Sequence, residues 1–142
     1  MPILEKDITI EAPVGTVFGF VDDPVNLAKI QPSLYDVTNV STLPNGGHKF
    51  SGLYSLAGRL CEAETETLER VVGQRIVDRT TGDIESTRTW KFQGGNGQTK
   101  LAFKAEYETP KPLPKQEMRY FDRQSELEAD FLLQSLKAKL ES

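Results

Sequence analysis

The sequence predicts an α+β fold: one strand, two short helices, six further strands and one long C-terminal helix (β-α-α-β6-α), with a seven-stranded curved antiparallel sheet wrapped around that helix. Three observations carry this expectation. Residues 11–32, EAPVGTVFGFVDDPVNLAKIQP, hold two brief apolar patterns, each opened by a proline. Residues 34–109 are broken at regular intervals by turn-forming residues. From Lys115 onward one pattern of helical period runs to the end.

Taken in order, Ile8 and Ile10 alternate with Asp7, Thr9 and Glu11, the period of a half-buried strand. Pro13 stands where the first turn of a helix begins, a position that loses no useful N–H. Val14, Val17, Phe18 and Val21 then follow at the spacing of one helical face. Asp22-Asp23-Pro24 restarts the pattern, with Asp23 as cap and Pro24 in the first turn. Leu27, Ala28 and Ile30 form the apolar side of this second helix, and Gln31-Pro32 ends it, because a residue before proline disfavours helix.

The next segments read as strands over 34–42, 48–56, 59–71, 75–80, 84–93 and 98–109. They are separated by Pro44-Asn45-Gly46-Gly47, Ala57-Gly58, Gly73, Thr81-Gly82-Asp83 and Gly94-Gly95-Asn96-Gly97, turn sequences that each supply a Gly or Asn able to tolerate positive φ. Glu108 to Pro114, rich in proline, cannot continue a central strand and reads as a stiff connector. The final helix of roughly 26 residues reaches about 39 Å, long enough to cover the sheet.

The stretch ITIEAPVGTVFGFVDDPVNLAKIQPSL resembles the opening of the START/Bet v 1-like (SRPBCC) helix-grip superfamily, and more narrowly its polyketide cyclase/dehydrase and lipid-transport type. Ala12-Pro13 followed by Val17-Phe18, the step from Asp23-Pro24 to Leu27, and Pro32 before the next strand carry the resemblance. TWKFQGGNGQTKLAFKAEYETP is similar to the family's last hairpin, with an aromatic strand, a Gly-rich turn and a strand ending in Tyr-x-x-Pro. The resemblance implies a helix-grip fold and, commonly, a cavity between sheet and helix. It says less about chemistry, since one fold serves many functions.

The chain of 142 residues is expected to form one domain over 1–142, with 37% hydrophobic and 27% charged residues in the range of folded globular proteins. A net charge of -4 disfavours nucleic acid, which needs a concentrated basic face. MPILEKDITI has no signal-like apolar core, and no apolar run approaches the ~20 residues of a membrane span. The one cysteine, Cys61, has no internal partner and fits a reducing compartment. A cytoplasmic location is the expectation.

Alternation also assigns faces. Glu62, Glu64 and Glu66 point to water, so Cys61, Ala63, Thr65 and Thr67 point inward, and these are small. Ile84, Ser86, Arg88, Trp90 and Phe92 share a face, as do Leu101, Phe103, Ala105 and Tyr107; Gly52, Tyr54 and Leu56 join them. On the last helix Met118, Phe121, Ser125, Ala129, Leu132, Leu133, Leu136 and Leu140 form one apolar stripe, and Tyr120, Leu127 and Phe131 lie beside it. Gln124 and Glu128 fall between, either turned inward toward Arg88 or solvated at a rim. Such a surface, apolar with a few placed polar groups, has the composition of a ligand pocket. The alternative is a solid core filled by Trp90 and Phe103.

The expected ligand-binding residues are Tyr54, Thr65, Arg88, Trp90, Phe103, Tyr107, Phe121 and Ser125. Arg88 is central, because a guanidinium in an apolar interior needs a partner: a ligand carboxylate, phosphate or carbonyl, or else Glu128 or Asp78 in a structural ion pair. His48, the sole histidine, is expected at an exposed hairpin end, so neither a metal site nor a Ser-His-Asp arrangement is expected, and no cofactor. Cys61 reads as an inert core thiol, Asp23 as a helix cap, and the Gly94–Gly97 run as a hairpin rather than a phosphate loop.

Three functions remain open at this level. The first is binding or transport of a small, largely hydrophobic molecule (lipid, isoprenoid, quinone or aromatic polyketide-like compound) by a monomer or weak homodimer. The second is a cyclase/dehydrase-type enzyme drawing acid or base from Arg88, Tyr107, Glu128 and Asp78. The third is a protein-interaction module with a filled core and an exposed Tyr120, Leu127 and Phe131 patch.

Overall fold

A computed structural model describes residues 2–56, 58–108 and 114–141. The elements are β1 (Ile3–Ile10), α1 (Val14–Val21), α2 (Pro24–Ile30), β2 (Leu34–Thr42), β3 (His48–Leu56), β4 (Arg59–Val71), β5 (Arg75–Gly82), β6 (Glu85–Gly95), β7 (Gln98–Glu108) and α3 (Lys115–Glu141). The expected order is present, and the strands form one antiparallel seven-stranded sheet, β1-β7-β6-β5-β4-β3-β2. Its curvature with α3 gives the helix-grip architecture. Residues 109–113, expected to form the stiff connector, and Ala57 of the expected Ala57-Gly58 turn lie outside the described residues, as does the side chain of Leu56.

Consecutive hairpins account for five of the pairings, and the sixth brings β1 back beside β7, matching Ile8 with Leu101 and Ile10 with Thr99. The β6–β7 turn is made by Asn96 and Gly97 at φ 53° and 77°, both left-handed. That pair suits a tight hairpin whose twist follows the strands. β5 runs to Gly82 and β6 to Gly95, each two residues past expectation. The ladder is extended there by backbone pairing that side-chain alternation does not report.

Asp23 caps α2 as expected, its carboxylate accepting from the Val25 N–H at 3.0 Å, with Pro24 in the first turn. Pro13 stands one place before α1, as its cap, and the Pro13 carbonyl accepts from the Thr16 and Val17 amides. The two helices bury Val17, Phe18, Val21, Leu27 and Ile30 against the end of the sheet. Phe18 meets Phe92 edge-on with centroids 5.2 Å apart. Asp22, which the capping argument left aside, forms a two-point ion pair with Arg70 of β4 at 2.9 and 3.0 Å.

On α3, Phe121, Ala129, Leu132, Leu133 and Leu136 are buried. Met118, expected in the same stripe, is exposed, because the helix reaches the sheet only from Phe121 onward. Lys6 occupies an inward-parity position on β1, half-buried, and is matched by Glu126 at 3.1 Å and Asp130 at 3.4 Å from α3. A charge on an edge strand thereby ties sheet to helix instead of disrupting the core.

Candidate functional site

The sheet faces divide as the alternation requires. Cys61, Ala63, Thr65 and Thr67 of β4 are buried while Glu62, Glu64 and Glu66 are exposed. Leu101, Phe103, Ala105 and Tyr107 of β7 are buried likewise. Between this inner face and α3 the side chains leave a cavity of about 520 Å³ that opens to solvent. Its wall runs from Ile84, just before β6, along that strand through Ser86 to Arg88, and along β7 from Phe103 through Ala105 to Tyr107.

Of the residues expected to meet a ligand, Tyr54, Arg88, Phe103, Tyr107, Phe121 and Ser125 line this cavity. Two do not. Trp90 is fully buried and lies behind the wall, its ring 4.7 Å from that of Phe103, its register partner. Its bulk fills the interior where the cavity ends, so the packed-core and cavity expectations each hold for a different part of the sheet. Thr65 is also enclosed, its hydroxyl 2.7 Å from that of Thr80. Across the β4–β5 ladder it is Thr80, not Thr65, that reaches the cavity.

The polar end of the cavity is built around Arg88, whose side chain is only 12% exposed. Its Nη1 donates to Gln31 Oε1 at 2.9 Å, and its Nη2 stands 4.0 Å from Asp78 Oδ2 on the paired strand. Its Nε is buried without a partner among the described residues. The partner expected from α3, Glu128, is engaged elsewhere: its two carboxylate oxygens accept from the Ser33 amide at 3.1 Å and the Ser33 hydroxyl at 2.6 Å. Glu128 and Gln124 both line the cavity, Glu128 half-buried and Gln124 exposed at the rim. Tyr120, Leu127 and Phe131, considered above as a separate patch, are exposed residues of the same cavity mouth.

Gln31 and Ser33 were not anticipated. They belong to the short link between α2 and β2, and nothing in Gln31-Pro32-Ser33 distinguishes an ordinary helix stop from a wall segment. Only the packing of that link against β6 and α3 gives them a role.

Burial raises the pKa of Asp78, opposed by the positive charge of Arg88 and by the nearby Trp90 indole, whose Nε1 nonetheless forms no hydrogen bond of regular geometry. Burial likewise raises that of Tyr54, again opposed by Arg88. Tyr107 is pushed up to about 12, first by burial and then by its hydrogen bond to Asp122 at 3.1 Å, so it remains a protonated phenol at neutral pH. Cys61 is buried and its thiol pKa raised by burial. His48 opens β3 and is half-buried rather than exposed, since it shares the inward parity of Phe50 and Tyr54. Among the described residues no group of three or more His, Cys, Asp or Glu side chains is placed to hold a metal ion. None of the described helices is long and apolar enough to cross a membrane.

The wall thus combines apolar side chains with a few placed polar groups. Solved structures share this fold at low identity. The Zhui aromatase/cyclase from Streptomyces sp. R1128 superposes with a TM-score of 0.82 at 15% identity, over 99% of this chain and 93% of that one. A START superfamily protein from Mycobacterium smegmatis gives 0.79 at 14% identity, over 97% and 98%. A protein of Chromobacterium violaceum gives 0.75 at 21% identity, over 100% and 99%. No curated protein matches the chain significantly in sequence. The sequence profile of the family described as polyketide cyclase / dehydrase and lipid transport matches residues 1–141, and the chain belongs to that family.

Proposed function

We propose that the protein binds a small, largely apolar molecule in the cavity between sheet and α3, with Arg88 at the ligand's polar end. The observation that carries this reading is the cavity itself: about 520 Å³ stays open beside the tightly packed Trp90–Phe103 pair. That volume lies within the range of about 300–1,000 Å³ found for small-molecule sites. Affinity comes from apolar burial, at roughly 25 cal/mol per Å², against Phe103, Phe121 and the ring of Tyr54. Tyr107 and Ser125 contribute hydroxyls along the wall.

Membership of a family that includes cyclases supports a second reading, catalysis on the same ligand. It requires an acid or base in contact with the reacting atoms. Of the candidate groups, Asp78 stands behind Arg88 rather than in the wall, while in the wall the Glu128 carboxylate is held by Ser33 and the Tyr107 phenol by Asp122. Binding is therefore the better-supported reading.

Native mass spectrometry of freshly purified protein, with a thermal-shift panel of isoprenoids, quinones, fatty acids and polycyclic aromatics, tests the proposal. A retained small molecule, or a shift with one hydrophobic class, is expected. No retained mass and no shift with any class refutes it.

A further inference from the structure

Arg88 and Glu128 are the only charged side chains in the described cavity wall, and they are opposite in sign. Behind the wall Asp78 adds a second carboxyl group 4.0 Å from the guanidinium. The single cation is thus already balanced. With Asp78 ionised the region carries two negative charges to one positive; with Asp78 protonated, Glu128 alone matches Arg88. In neither state is positive charge left over for an incoming anion, and burying an unmatched charge is costly.

Glu128 is also held in place. Both its oxygens are engaged by Ser33, so the carboxylate is fixed at the mouth instead of swinging toward Arg88. The other polar groups of the wall are neutral, among them the hydroxyls of Tyr54, Thr80, Ser86 and Ser125 and the Gln124 amide; Thr80 is already bonded to Thr65, and Ser125 to the Phe121 carbonyl.

We propose that Glu128, pinned by Ser33, determines specificity: it makes the cavity select uncharged molecules with a carbonyl or hydroxyl oxygen over carboxylates of the same shape. The proposal rests on the reading that the cavity binds a small apolar molecule, and it narrows that reading. Arg88 then serves as a hydrogen-bond donor to a neutral oxygen and not as the counter-ion of a fatty acid or aromatic acid.

The test uses a matched pair, 2-acetylnaphthalene and 2-naphthoate, which differ chiefly in charge. Dissociation constants are measured by calorimetry or ligand-observed NMR near neutral pH. The ketone should bind at least about tenfold more tightly, since like-charge placement opposes the acid. In Glu128→Gln that ratio should fall about tenfold. Equal or tighter binding of naphthoate by the native protein overturns the proposal while leaving cavity binding intact, and this comparison decides the point even if the variant does not fold. A ratio unchanged in a folded Glu128→Gln overturns the role of Glu128. Binding of neither compound overturns this inference, while the cavity reading is decided by the broader ligand panel and native mass spectrometry.

Discussion

Replacing Arg88 with methionine tests the electrostatic centre of the cavity. The substitution keeps an unbranched apolar stem and removes the charge facing Asp78. At 4.0 Å and an effective dielectric of about 20, the lost attraction is about 4 kcal/mol. Relaxation and water entry reduce this, and removing one partner of a buried pair commonly costs about 3–5 kcal/mol. A loss of about 3 kcal/mol is expected near neutral pH, or roughly 10 °C in Tm for a chain of this length. The pH dependence is more diagnostic. Asp78 already has a raised pKa with Arg88 present, and Arg88 is the main group holding it down. Without Arg88 the folded state holds the Asp78 proton still more tightly than the unfolded chain does. The resulting stability is complete below the unfolded value of about 3.9 and is lost as pH rises through the folded pKa. The penalty in Arg88→Met should therefore shrink as urea unfolding is repeated from about pH 7 down to about pH 4.5, and Asp78→Asn in the same chain should recover at least half of it. A penalty independent of pH, or no rescue by Asp78→Asn, would refute the assignment of Asp78 and Arg88 as a coupled pair.

Tyr107→Phe should flatten the alkaline limb of stability. The native phenol titrates at about 12, above its value of about 10 in the unfolded chain, so stability falls between those values as pH rises, and equilibrium unfolding of the variant should lack that fall. Gly47→Ala should cost about 1–3 kcal/mol, because an added Cβ would lie 2.3 Å from Thr67 Cβ. Gly95→Ala, with nothing within 4 Å, should cost less; a reversed order in urea melts would contradict this packing. Cys61 should react slowly with a thiol reagent in the native state and rapidly in urea, since burial both encloses it and raises its pKa. Equal rates in the two conditions would show that the thiol is accessible.

The amino-acid sequence by itself determined the elements and the faces they bury. Alternation along 61–67 and 101–107, helical spacing along 121–136, and proline and glycine punctuation are local effects, acting between residues a few positions apart. They are legible because each residue's own chemistry decides whether it prefers water. The resemblance of ITIEAPVGTVFGFVDDPVNLAKIQPSL to one family supplied the way the sheet closes on the last helix.

Which inward residues meet empty space, and which meet one another, was decided only by tertiary structure. Trp90 and Arg88 share a face two positions apart, yet one fills the interior and the other lines the cavity. Gln31 reaches Arg88 across 57 residues, and Ser33 reaches Glu128 across 95. A hydrogen bond of that kind depends on how three separate elements settle against one another, and short-range patterning carries no information about that distance.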